Sequence, residues 1–131
     1  MLPGVHLILN IVLISLFGAI GVLLRFGANS LFYSQVYIFL PTLLVNALGS
    51  LLIGILYAAH NEGFLFIPQS FYLPLMVGLL GGLTTFSGFS LETLKLINSG
   101  AVGLAALNIT LQIVVSLGLC SLGMKAVTFF H

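Results

Sequence analysis

Four apolar runs, at about residues 6–27, 41–59, 72–96 and 101–124, occupy most of this 131-residue chain and leave only short connections between them. Each is long enough to cross the roughly 30 Å hydrocarbon core of a bilayer, which takes about 20 residues of α-helix. A helix satisfies its own backbone groups, so it can stand in lipid where an open strand cannot. Only 4% of the residues are charged, against about a quarter in a soluble domain, and the mean hydropathy is +1.30. The expected fold is therefore an all-α membrane protein of four transmembrane helices, forming a single domain over 1–131. The first run lacks a basic flank and is long for a signal peptide, so it reads as a retained helix.

The connections supply turns and anchors but no chemistry. Tyr33 and Tyr37 between the first two spans suit the headgroup level. Pro41 suits the first turn of the second helix, and Asn61–Gly63 with Pro68 marks the second connection. A turn near Asn98–Gly100 makes spans three and four antiparallel neighbours. No basic patch, P-loop or GxGxxG offers a footprint for nucleic acid or nucleotide. Cys120 stands alone, and His6, His60 and His131 lack metal-ligand spacing. No nucleophile, base and acid gather in one site, so an enzyme is not expected.

Cations divide almost evenly across the membrane. Lys125 falls on the side of the N-terminus, and Arg25 and Lys95 fall on the other. That small difference leaves insertion in either direction open under the positive-inside rule. Four helices leave little room for an internal solute path. A path between two copies is expected instead, and oppositely inserted copies would acquire the inverted symmetry that many transporters carry as internal repeats.

The segment GLLGGLTTFSGFSLE, residues 78–92, is the anomaly. Gly78 and Gly82 form a GxxxG, and Ser50 with Gly54 a second small-xxx-small pair, both suited to close helix packing. Gly81–Gly82 followed by Thr84–Thr85 is a weak helical stretch at mid-span. A break there would free carbonyls that a neighbour, a water or a cation must satisfy. Phe86 and Phe89 share a face, either as ordinary packing or as positive ring edges turned to an anion. Thr85, Ser90 and Thr93 border that face, and Asn46 lies at similar depth; their hydrogens also favour an anion. On the fourth helix Asn108, Gln112, Ser116 and Cys120 recur every four residues. Such a stripe is a wet track or a polar contact with a second subunit. Arg25 reads as a snorkelling anchor or as a cation in an anion-path mouth. Glu92 reads as an i,i+3 partner of Lys95 or as a functional intramembrane carboxylate.

PTLLVNALGSLLIG at 41–54 and GLLGGLTTFSGFSLE at 78–92 resemble the two signature segments of the Fluc (CrcB) fluoride-channel family, and the likeness extends over the whole chain. The resemblance implies a small dual-topology protein of the cell membrane, an antiparallel dimer with two fluoride pores, and passive export of cytoplasmic fluoride. It implies pore roles for Asn46, Phe86 and Phe89, and a place near one pore mouth for Thr42 and Glu92. Gln112 and Ser116 fall on the family's polar track, and Arg25 resembles a vestibule arginine. Gly81 and Thr84 match positions whose carbonyls hold a structural sodium ion at the dimer centre.

Three departures accompany the likeness. Helix one reads GVLLRF, Gly88 stands in place of a usual Thr, and Asn108 sits where a pore-mouth Tyr is frequent. Partly altered motifs also fit one half of an obligate heterodimer of related chains. Two other classes stand beside the channel. A proton-coupled small multidrug exporter shares four helices and dual topology but resembles a chain with an acidic residue in helix one, and residues 6–27 contain none. A non-conducting assembly factor would explain the glycines but not TTFSGF.

Overall fold

The computed structural model describes residues 3–34, 36–63 and 67–129, with backbone alone at 3–6 and 69. His131 and the His6 side chain lie outside the described residues. Helix α1 (Pro3–Leu31) is followed by α2 (Leu40–Asn61), and α6 (Val102–Phe129) closes the chain. The third span is composite: α3 (Gln69–Leu73), a π-helical segment (Pro74–Leu80), α4 (Gly81–Leu83) and α5 (Phe86–Asn98). Among the described residues, four stretches are long and apolar enough to cross a membrane: Leu7–Leu31, Leu40–Asn61, Ser70–Asn98 and Val102–Phe129. The protein is thus a multi-pass integral membrane protein, and no strand occurs among the described residues.

Local chemistry sets the boundaries. Pro41 occupies the first turn of α2, where its missing N–H removes no bond. Gly63 and Gly100 follow α2 and α5 with φ of 71° and 80°, a left-handed backbone that glycine adopts without a Cβ clash. Pro68 precedes the third span.

Helices pair through glycine. Helix α1 lies against the π-helical segment and α4, while α2 lies against α6. A Cβ on Gly78 would stand 2.8 Å from the Ile14 carbonyl, and one on Gly82 would stand 2.7 Å from that of Gly18. Gly54 meets the Cys120 carbonyl, and Gly123 meets that of Leu51, in the same manner. Lipid gives apolar side chains no reason to prefer each other over acyl tails, so close backbone approach is the main source of association.

The third span changes partners partway. Its first half packs on α1 and its second half, α5, packs on α6. The change falls at Thr84 (φ −83°, ψ 157°) and Thr85 (φ −153°, ψ 121°), both extended. Thr85 then caps α5, its Oγ1 accepting from the Gly88 N–H at 3.0 Å, a bond worth about 1 kcal/mol. A Cβ at Gly88 would come within 2.9 Å of Thr85 Cγ2, so glycine at this departure from the family pattern leaves room for the cap.

Candidate functional site

Two extended residues in mid-span leave backbone groups without helical partners, and side chains from three helices meet them. The Thr84 N–H and its Oγ1 both donate to the Leu80 carbonyl, at 3.0 and 2.9 Å. The Thr84 carbonyl accepts from Arg25 Nη1 of α1 at 3.3 Å. The Thr85 N–H donates to Asn46 Oδ1 of α2 at 2.8 Å, and the Thr85 carbonyl accepts from Asn46 Nδ2 at 3.1 Å. Because Thr85 donates to Asn46, the Gly81 carbonyl lacks the i+4 donor it would have in an uninterrupted helix. Burying such groups unpaired is costly in hydrocarbon, and Arg25 and Asn46 meet that requirement for Thr84 and Thr85.

From Asn46 the network continues to α6. Asn46 Nδ2 also donates to Gln112 Oε1 at 3.0 Å, so both of its hydrogens are engaged. Gln112 is 5% exposed, and its Nε2 is buried with no hydrogen-bond partner. One turn along the helix Ser116 faces the same space. Asn46, Gln112 and Ser116, with Gly81, Thr84, Thr85, Phe86 and Phe89, border a cavity of about 610 Å³. Its remaining walls are mostly apolar, including Ile53, Met76 and Leu117.

The phenylalanines form the other wall. Their rings stand 5.2 Å apart at 64°, an edge-to-face pair that presents positive ring edge as well as face. Phe86 is 79% exposed. A large ring at the lip of a cavity, facing outward, leaves a surface that lipid or another chain must cover.

A second polar cluster ties α5 to its neighbours. Thr42 of α2 donates to Glu92 Oε1 at 2.6 Å. Glu92 Oε2 is buried without a partner. Asn108 of α6 is fully buried and donates through Nδ2 to Thr93 Oγ1 at 2.9 Å, leaving its Oδ1 unpartnered. Thr93 Oγ1 in turn donates to the Phe89 carbonyl at 2.8 Å.

The structure therefore gathers Asn46, Phe86, Phe89, Gln112, Ser116, Gly81 and Thr84 around one cavity. Thr42 with Glu92 forms a separate contact, as does Asn108 with Thr93. Arg25 reaches the site through the Thr84 carbonyl. The regular stripe on α6 serves three purposes, since Asn108 holds α5, Gln112 and Ser116 face the cavity, and the Cys120 backbone receives Gly54. Sequence reasoning missed the Asn108–Thr93 bond and the central position of the Thr85 backbone. A threonine three residues before Gly88 was the available signal for the cap, and it is a weak one.

The chain matches the CrcB-like protein family, Camphor Resistance (CrcB), over residues 12–124. It is 46% identical over 122 residues to a protein of Methylobacillus flagellatus named fluoride-specific ion channel FluC, with 90% of this chain and 94% of that protein covered. Proteins of the same name are 39% identical in Syntrophotalea carbinolica, over 88% of this chain and 94% of theirs, and 46% identical in Thermus thermophilus, over 72% and 76%.

Proposed function

The chain belongs to the CrcB-like protein family, and on that footing we propose that it is a passive fluoride channel of the cell membrane, exporting cytoplasmic fluoride, and not an enzyme. The observation that carries this reading is the cavity where amide, hydroxyl and ring edge meet. Removing a small ion from water costs on the order of 20 kcal/mol before compensation. A pore must return most of that without holding the ion fast. The Gln112 amide, the Ser116 and Thr85 hydroxyls and the edges of Phe86 and Phe89 are neutral positive poles of this kind. None binds as strongly as a fixed cation, so the ion can leave.

The pore is completed by a second chain, inserted antiparallel. Exposed Phe86 and the apolar lip of the cavity support this, since a half-open site in lipid would not be a path for an ion. A two-fold axis then gives two pores. Thr42 with Glu92 lies toward one mouth, beside the Asn108–Thr93 bond, and Arg25 lends positive potential to the vestibule. A homodimer is the simplest assembly, and mixing with a related chain is the alternative. The third span acts as a broken helix whose carbonyls hold a sodium ion at the dimer centre. The fit is supported by Gly81, whose carbonyl has lost its helical donor, and by Thr84, whose carbonyl already attracts a cation in Arg25. Oxygen ligands suit a hard cation, and such an ion would offset the charge of passing anions.

Proteoliposomes loaded with potassium fluoride test the function, with efflux read by a fluoride electrode. Rapid efflux without a proton gradient is expected. Phe86→Ile keeps bulk and removes the ring edge, so it should lower efflux at least about tenfold, the effect of losing roughly 1.4 kcal/mol at the barrier. Efflux appearing only after a related chain is added would identify the heterodimer. Efflux that depends on proton coupling would indicate the exporter instead. For sodium, exchange with N-methylglucamine is expected to lower both the thermal midpoint and the flux, as any ligand of the native state stabilises it. An unchanged midpoint would remove sodium from Gly81 and Thr84.

A further inference from the structure

Resting on the sodium reading of the broken span, we propose that Arg25 sets how tightly that ion is held, because guanidinium and ion share the carbonyl oxygen of Thr84. The oxygen has two lone pairs and can accept twice. Arg25 Nη1 takes one of them at 3.3 Å. The backbone supplies no second donor from the usual place. Thr84 and Thr85 are extended, and the Gly88 N–H, four residues on, donates to Thr85 Oγ1 instead. The other lone pair is thus open to a cation.

The charge on Arg25 is unrelieved. It is the only arginine of the 131 residues, and a guanidinium stays ionised in a protein. The chain holds two carboxylates, Glu62 and Glu92. Glu92 lies two turns into α5 and accepts from Thr42. Glu62 closes α2 about 24 Å along the helix from the Asn46 that meets Thr85. Neither is placed to neutralise Arg25. A cation arriving at the Thr84 oxygen therefore meets a like charge in a partly buried site, where repulsion is stronger than in bulk water. Arg25 holds the interrupted span in shape when the ion is absent and weakens the ion's grip when it is present. By linkage the ion loosens the Arg25 bond by the same factor.

The test uses the full chain in detergent micelles, with sodium chloride titrated against N-methylglucamine chloride at constant ionic strength. The rise of the thermal midpoint gives the half-saturating sodium concentration. Arg25→Gln keeps a donor and removes the charge, so its half-saturation should fall at least about tenfold, equivalent to 1.4 kcal/mol. Arg25→Lys keeps the charge and should stay within about threefold of the unsubstituted protein. Equal or weaker sodium binding in Arg25→Gln, or equal tightening in Arg25→Lys, overturns the proposal. The unsubstituted protein gives a second readout that needs no variant. With arginine labelled with nitrogen-15, the single Nε–Hε resonance belongs to Arg25. Sodium is expected to shift it in a saturable manner, with the half-saturation seen in melting. A resonance that stays still while sodium raises the midpoint means that the two do not share Thr84. Sodium that changes neither midpoint nor resonance removes the ion from the break, and its tuning by Arg25 with it.

Discussion

Asn46→Asp is expected to reduce fluoride efflux from proteoliposomes by at least about 100-fold while leaving the assembled protein intact. The exchange is nearly isosteric, so the effect is one of polarity. An aspartate oxygen can still accept from the Thr85 N–H, as Oδ1 does at 2.8 Å. Its other oxygen cannot donate to the Thr85 carbonyl, which would then face an acceptor at about the 3.1 Å now spanned by a hydrogen bond. Gln112 must also turn its amide over, since only Nε2 can serve a carboxylate. That rotation replaces a buried unpartnered donor with an acceptor and adds a negative charge beside it. An uncompensated buried charge carries a penalty of about 3–5 kcal/mol, and a barrier raised by 2.7 kcal/mol is already a hundredfold. Gel filtration and a fluoride electrode on the same preparation decide it. A monodisperse protein with undiminished efflux would take Asn46 out of the ion's path.

Asn46 also illustrates what could be read before the structure and what could not. Its depth followed from its position in an apolar run bounded by Pro41, and α2 begins where that proline suggested. Spans two and three match the apolar runs closely, because proline and glycine punctuate both. Spans one and four do not stop where the runs do. The first continues past Arg25 to Leu31 and the fourth past Lys125 to Phe129. One cation does not end a helix; it snorkels. The first span also runs through Gly27 and Asn29, a stop signal that it does not use, and no glycine or proline follows Lys125 in the fourth. The spacing on helix four was legible as a period, but the partners were not. Asn108 and Gln112 differ by one turn yet bond to different helices, Thr93 in one case and Asn46 in the other. Arg25 reaches a carbonyl 59 residues away, a contact that only the packing of α1 against the third span creates. Local sequence sets the period and the breaks, and tertiary approach decides which polar atom meets which.

Between α2 and α6 that approach depends on Gly54, and Gly54→Leu is expected to abolish assembly altogether. A Cβ at this position falls on the Cys120 carbonyl, with Cys120 Cα behind it. Backbone cannot rotate aside as a side-chain tip can, so relief requires α2 and α6 to separate. Overpacking a side chain commonly costs 1–3 kcal/mol, and a clash with helix backbone lies at or above the top of that range. The consequence extends beyond stability, because α2 carries Asn46 and α6 carries Gln112 and Ser116. Separating the helices would stretch the 3.0 Å bond between the two amides and open the wall of the cavity. The measurement is gel filtration with a thermal melt in detergent. Gly54→Leu should lose its monodisperse peak. Gly103→Ala, whose added methyl meets nothing within 4 Å, should retain it and melt no lower, since alanine is the better helix former by about 0.5–1 kcal/mol. Equal loss in both would mean that the bundle fails at any enlarged glycine and that the Gly54 contact is nothing special. Normal assembly of Gly54→Leu would mean that α2 and α6 meet along some other line.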